Sequence, residues 1–156
     1  MEFLVDKVDC WEAAMLKQLQ ARLEHCIQST LTDQPEVAAF ALVTDSGFSS
    51  VYAAWLSHEL LEDEGEEILE IPFDWDHERH GDAFDSASTL LAECSAALPD
   101  RPDQEAFVVD LFERTLARAR EENSSLRDSV LVICCADGGP GWRMLASAAQ
   151  ARLASS

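Results

Sequence analysis

The sequence predicts a single α+β domain spanning residues 1–156, in the order α-β-β-β-α-α-β-α. Its centre is expected to be a mixed sheet of about four strands packed by helices. Three observations carry this expectation. Two short runs, Val37 to Val43 and Val130 to Cys135, are almost wholly apolar, as strands covered on both faces are. Four longer stretches repeat apolar residues at helical spacing. At 156 residues the chain has the length of one domain. A chain of this length buries roughly 70% of its unfolded surface without help from disulfide or metal.

The first helix is expected from about Val8 to Leu31, where Trp11, Met15, Leu19, Leu23 and Ile27 recur every fourth residue. Asp33-Gln34-Pro35 ends it. Val37 to Val43 is the first strand, Asp45-Ser46-Gly47 signals a turn, and Phe48 to Trp55 returns as the second strand of a hairpin. Leu56 to Gly65 reads as a short helix or an acidic loop, and Ile68 to Phe73 as the third strand. Asp82 to Leu98 and Asp103 to Asn123 are helices separated by Pro99-Asp100-Arg101-Pro102. Their inward positions are Phe84, Ala87, Leu91, Cys94 and Leu98, then Phe107, Leu111, Phe112, Leu116 and Ala119. Val130 to Cys135 is β-branched and apolar, and with Val37 to Val43 it is expected to be among the most buried strands. Asp137-Gly138-Gly139-Pro140-Gly141 forms a loop, and Trp142 to Leu153 closes the chain as a helix.

Charge narrows the function. Thirty Asp and Glu oppose eleven Lys and Arg, a net charge of -19. Direct nucleic-acid binding and anionic membrane surfaces are disfavoured, because both require a basic patch. A protein partner with a basic surface is favoured. No stretch approaches the ~20 apolar residues of a membrane span. Met1-Glu2-Phe3-Leu4-Val5-Asp6 carries acids where a secretory signal carries bases. The five cysteines (Cys10, Cys26, Cys94, Cys134 and Cys135) are odd in number and include no C-x-x-C. Reduced cysteines and a cytoplasmic location are the expectation.

Phe40-Ala41-Leu42-Val43-Thr44-Asp45 is followed by a turn and Ser50-Val51-Tyr52-Ala53-Ala54, then by an acidic stretch, a strand and Trp75. Two helices and an apolar strand complete the unit. Over most of Val37 to Leu153 this pattern resembles a family of small bacterial α+β domains without a known function. Such domains are similar in size and acidity to the immunity proteins encoded beside polymorphic or type VI secreted toxins. The resemblance implies a binding protein, not an enzyme, that neutralises a cognate toxin by covering its active or substrate-binding surface. It implies no catalytic residues and no cofactor.

The strongest candidate site is an acidic band. From Glu59 to Asp85 the chain carries twelve acids against one base, Arg79. Glu59, Glu62, Asp63, Glu64, Glu66, Glu67, Asp74 and Asp76 are the expected partner-binding carboxylates, which would steer a basic protein and speed its association. The competing explanation is a solvated loop. Trp55, Phe73 and Trp75 lie in or beside the band. Trp55 and Trp75 are taken as interface anchors, a common role of tryptophan, against core packing as the alternative. Alternation along a strand would point Phe73 and Trp75 the same way.

Other features are weaker. His77 and His80 would suit two metal ligands of an unrecognised enzyme if the segment were helical, but no third ligand is fixed by the sequence. A second alternative is an acidic mimic of nucleic acid that inhibits a nucleic-acid-binding protein. Gly138 to Gly141 precedes a helix and could hold an anion, but it lacks a Walker lysine and reads better as a tight turn. Cys134 and Cys135, in so apolar a run, read as buried and unreactive thiols.

Overall fold

A computed structural model describes residues 10–155 except 33, 35 and 82, and gives the backbone alone for 10–13, 15 and 83. The expected helix start at Val8, the side chains of Cys10, Trp11 and Met15, and Asp82 lie outside the described residues. Five α-helices and a four-stranded mixed sheet make the α+β fold. They are α1 (Cys10–Leu31), β1 (Ala39–Thr44), β2 (Val51–Leu56), α2 (His58–Glu64), β3 (His77–Arg79), α3 (Ala83–Ala96), α4 (Arg101–Glu122), β4 (Val130–Cys135) and α5 (Pro140–Ser155). The strand order is β3-β2-β1-β4. β2 is antiparallel to both β1 and β3, while β4 joins β1 in parallel.

Strand alternation gives the sheet two unlike faces. One carries Phe40, Leu42, Val51, Ala53, Trp55, Leu131 and Ile133, and packs against the buried faces of α1, α3, α4 and α5. The other carries Ala39, Ala41, Val43, Ala54 and Leu56, beneath Ile68 and Trp75. The alanines matter here. Their small side chains let a thin layer, built from residues 58–75, lie close on the sheet. This layer is most of the acidic band, and it is called the cap below.

The hairpin turn is locked by its own polar groups. Asp45 accepts from the Ser49 N–H at 2.8 Å, from Ser49 Oγ at 2.6 Å and from Ser50 Oγ at 3.1 Å. Phe48 adopts φ 53, which a bulky residue seldom does. Its ring is fully buried, 5.7 Å from Trp142 and beneath the Arg101 guanidinium, so packing holds the backbone there. Between β4 and α5, a side chain at Gly138 would start 2.6 Å from the Trp142 ring. Glycine is what lets that ring seat. A side chain at Gly141 would meet the buried Glu105 carboxylate at 3.1 Å.

Two sequence expectations are corrected. Ile68 to Phe73 is not a strand: Glu66–Glu70 and Pro72–Asp74 are 3₁₀ segments, with Ile71 N–H bonded to Ile68 C=O and Asp74 N–H to Ile71 C=O. Pro72 has no N–H to give a ladder, so the chain turns instead of extending. The third strand is the wholly polar His77–Arg79. The second correction concerns β4. It lies at the sheet edge, with Leu131 and Ile133 buried on the helix side but Val130 44% exposed on the other. β2, flanked by β1 and β3, is more deeply buried than β4.

Candidate functional site

The cap begins at Ser57. Its Oγ accepts from the Leu60 N–H at 3.1 Å and caps the N-terminus of α2. Gly65, at φ 80, ends the helix in a conformation that suits glycine. α2 buries no residue fully: Leu60 and Leu61 rest half-buried on the sheet while Glu59, Glu62, Asp63 and Glu64 stand in solvent. In the next turn Ile68 is buried and Glu66 and Glu67 are exposed. Trp75 then closes the layer from the other end, 7% exposed, with its Nε1 donating to the Ile68 C=O at 2.6 Å. One apolar seam thus holds the cap down, and nearly every carboxylate points outward.

Asp76 does different work from its neighbours. It accepts from the Ser57 N–H at 3.1 Å and from Ser57 Oγ at 2.5 Å, tying β3 to the start of α2. Partial burial raises its pKa, but the Ser57 hydrogen bonds outweigh that and leave it below the usual carboxylate value. A carboxylate depressed in the folded state stabilises above its unfolded pKa, near ~3.9, and loses that contribution as pH falls through the folded value. Asp76→Asn weakens its hydrogen bonds from Ser57 and is therefore expected to cost about 1 kcal/mol at pH 7 and to lessen the loss of stability below about pH 4. Thermal unfolding from pH 7 to pH 3 checks both effects.

The sequence-predicted site residues separate into two groups. Glu59, Glu62, Asp63, Glu64, Glu66, Glu67 and Asp74 share the outer surface of the cap, and none makes an ion pair among the described residues. Trp55, Trp75 and Asp76 do not join them. Trp55, 8% exposed, belongs to the helix-side core and stacks on His77 at 5.3 Å. Its Nε1 is buried with no acceptor among the described residues. Trp75 belongs to the seam beneath the cap. Neither indole is placed to anchor a partner.

The exposed apolar residues of the cap are Phe73, 50% exposed, and Ile71, 44% exposed. Phe73 lies inside the 3₁₀ turn and Trp75 just past it in extended backbone, so strand alternation does not relate the two, and Phe73 faces out where Trp75 faces in. At Ile71 lies a hollow of about 330 Å³ with Leu60, Ile68 and Ile71 in its wall and Glu64, Glu67 and Asp74 around it. Sequence reasoning named Phe73 but passed over Ile71. The available signal was Pro72 between them, which excludes a ladder strand.

The histidines lie apart. His77 stacks on Trp55, whose side chain is on the helix side, while His80 stacks on Tyr52 at 4.0 Å, on the cap side. One ion cannot take both. Among the described residues, no group of three or more metal-capable side chains converges. Burial pushes the Cys134 thiol up to about 11, and raises Cys135 as well. Both are thus poor nucleophiles near neutral pH. Among the described residues, no helix is long and apolar enough to cross a membrane.

The fold and the cap define an α+β domain whose sheet is faced by helices on one side and by an acidic layer on the other. Comparison with protein-family models, with curated proteins and with solved structures returns no match.

Proposed function

We propose that this chain is a cytoplasmic immunity-type binding protein, which neutralises a cognate bacterial toxin by covering its active or substrate-binding surface with the cap. The observation that carries this reading is the placement of Phe73 and Ile71. Solvation alone would account for outward carboxylates; what favours an interface is that Phe73 and Ile71, close in sequence, are both exposed among them. An apolar centre inside a charged rim is the usual anatomy of a protein interface. The carboxylates, without ion-pair partners among the described residues, would accelerate the approach of a basic surface. Phe73 would then seat in it.

The genes flanking this one are the first place to seek the toxin. Each neighbouring product is to be expressed alone and together with this chain, with growth and complex formation measured. One product is expected to arrest growth alone, and to be both bound and neutralised in co-expression. If none is toxic, or if the toxic product is neither bound nor neutralised, the immunity reading fails.

A further inference from the structure

We propose that the open edge of β4 accepts an extended segment of a partner protein, acidic on one face and apolar on the other, as a fifth strand. This surface is separate from the outer face of the cap and does not rest on the toxin reading.

The strand order leaves β4 a single neighbour, β1. Val130 N–H bonds to Ala38 C=O at 3.0 Å and Ala136 N–H to Thr44 C=O at 3.2 Å. The alternation of a parallel ladder therefore turns the backbone groups of Leu131 and Ile133 away from β1. The Ile133 N–H donates to the Gln150 side-chain oxygen at 2.6 Å, where an incoming strand would place a carbonyl. A groove of about 990 Å³ follows this edge, between α5 on one side and Leu69 and Pro72 of the cap on the other.

Charge identifies the occupant. Arg101, Arg114, Arg118 and Arg152 each pair with a carboxylate. Three arginines line the groove against two acids, Glu70 and Asp128; of the three, Arg127, in the turn before β4, and Arg143, on α5, are exposed. Neither has an ion-pair partner among the described residues, in a chain with thirty acids. An added strand sends alternate side chains to opposite walls. One set would run along α5 past Arg143, which favours acids. The other would lie over the exposed Val130 with Leu69, Glu70 and Pro72, where apolar contacts and the Glu70 carboxylate favour apolar residues over acids. A second copy of this chain suits the edge poorly, since it would bring another -19 of charge against the first.

The probe is a blocked synthetic peptide of about ten residues, alternating valine and glutamate, long enough to span a typical strand. Binding is read by fluorescence anisotropy and amide hydrogen exchange. The peptide is expected to bind and to slow exchange at the Leu131 amide. The double variant Arg127→Ala/Arg143→Ala removes two exposed, unpaired side chains, so its unfolding should stay within about 0.5 kcal/mol of the parent. Its peptide affinity should fall at least about tenfold. A peptide N-methylated at every amide, which has no N–H to give from either edge, should not bind. Phe73→Ala should bind the peptide as the parent does, which separates this test from that of the cap. No binding, equal binding by the double variant, or equal binding of the N-methylated peptide would overturn the proposal. A dimer in sedimentation equilibrium that excludes the peptide would also overturn it, making a second copy the occupant.

Discussion

Trp75→Ala should lower stability by about 3–5 kcal/mol, the usual cost of truncating a large buried aromatic side chain. In a domain of 150–250 residues, 1 kcal/mol corresponds to about 2–4 °C, so a fall in Tm near 10 °C or more is expected. The loss combines two terms. The indole and Ile68 form the seam on the sheet's alanine face, so truncation opens a cavity there. The Ile68 carbonyl also loses its Nε1 donor. Trp75→Phe keeps most of the ring and drops only the donor, so it should cost nearer 1 kcal/mol. Hydrogen exchange locates the damage. Amides of Leu60 to Ile71 should lose protection first, while those of β1, on the central sheet, keep it. A Trp75→Ala protein as stable as the parent would mean that the cap is not held by this seam.

Phe73→Ala should do the reverse. The side chain is half in solvent, so stability should change by no more than about 0.5 kcal/mol. If Phe73 seats in the toxin, its removal should cost about 2 kcal/mol of binding or more, roughly thirtyfold in Kd. Most of that should appear as faster dissociation. Two aromatics separated by one residue are thereby assigned opposite roles, one holding the fold and the other holding the partner.

The contrast between them also shows what the sequence makes legible. Apolar runs declare strands, and Val130–Cys135 and the body of β1 lie where composition places them. Helical spacing places α3, α4 and α5 to within a few residues. β3 carries no such signal, because an edge strand of His77, Glu78 and Arg79 gains its order from pairing with β2 and not from burial. The partial exposure of β4 is likewise a property of topology: an apolar strand at an edge and one at a centre have the same composition. At the site, the outward acids were legible because charge resists burial. Which aromatic reaches solvent was not, since it turns on a 3₁₀ segment set by Pro72. Asp76 counts as one more acid in the sequence, and only its bonds to Ser57 show it to be a latch.

The central claim is that the outer surface of the cap is the partner surface. It is tested most directly by the association kinetics of the quadruple variant Glu62→Lys/Asp63→Lys/Glu66→Lys/Glu67→Lys with the toxic neighbouring-gene product, across a range of salt concentrations. All four side chains are exposed, and none makes an ion pair among the described residues. The variant should therefore fold, with its stability unchanged or raised as self-repulsion falls. Its association should be slower than the parent's at low salt, and the salt dependence of the rate should flatten. Parallel assays in cells should show weaker protection. A variant that folds, associates at the parental rate with the parental salt dependence, and still protects would contradict the account and leave the acidic cap a solvated face.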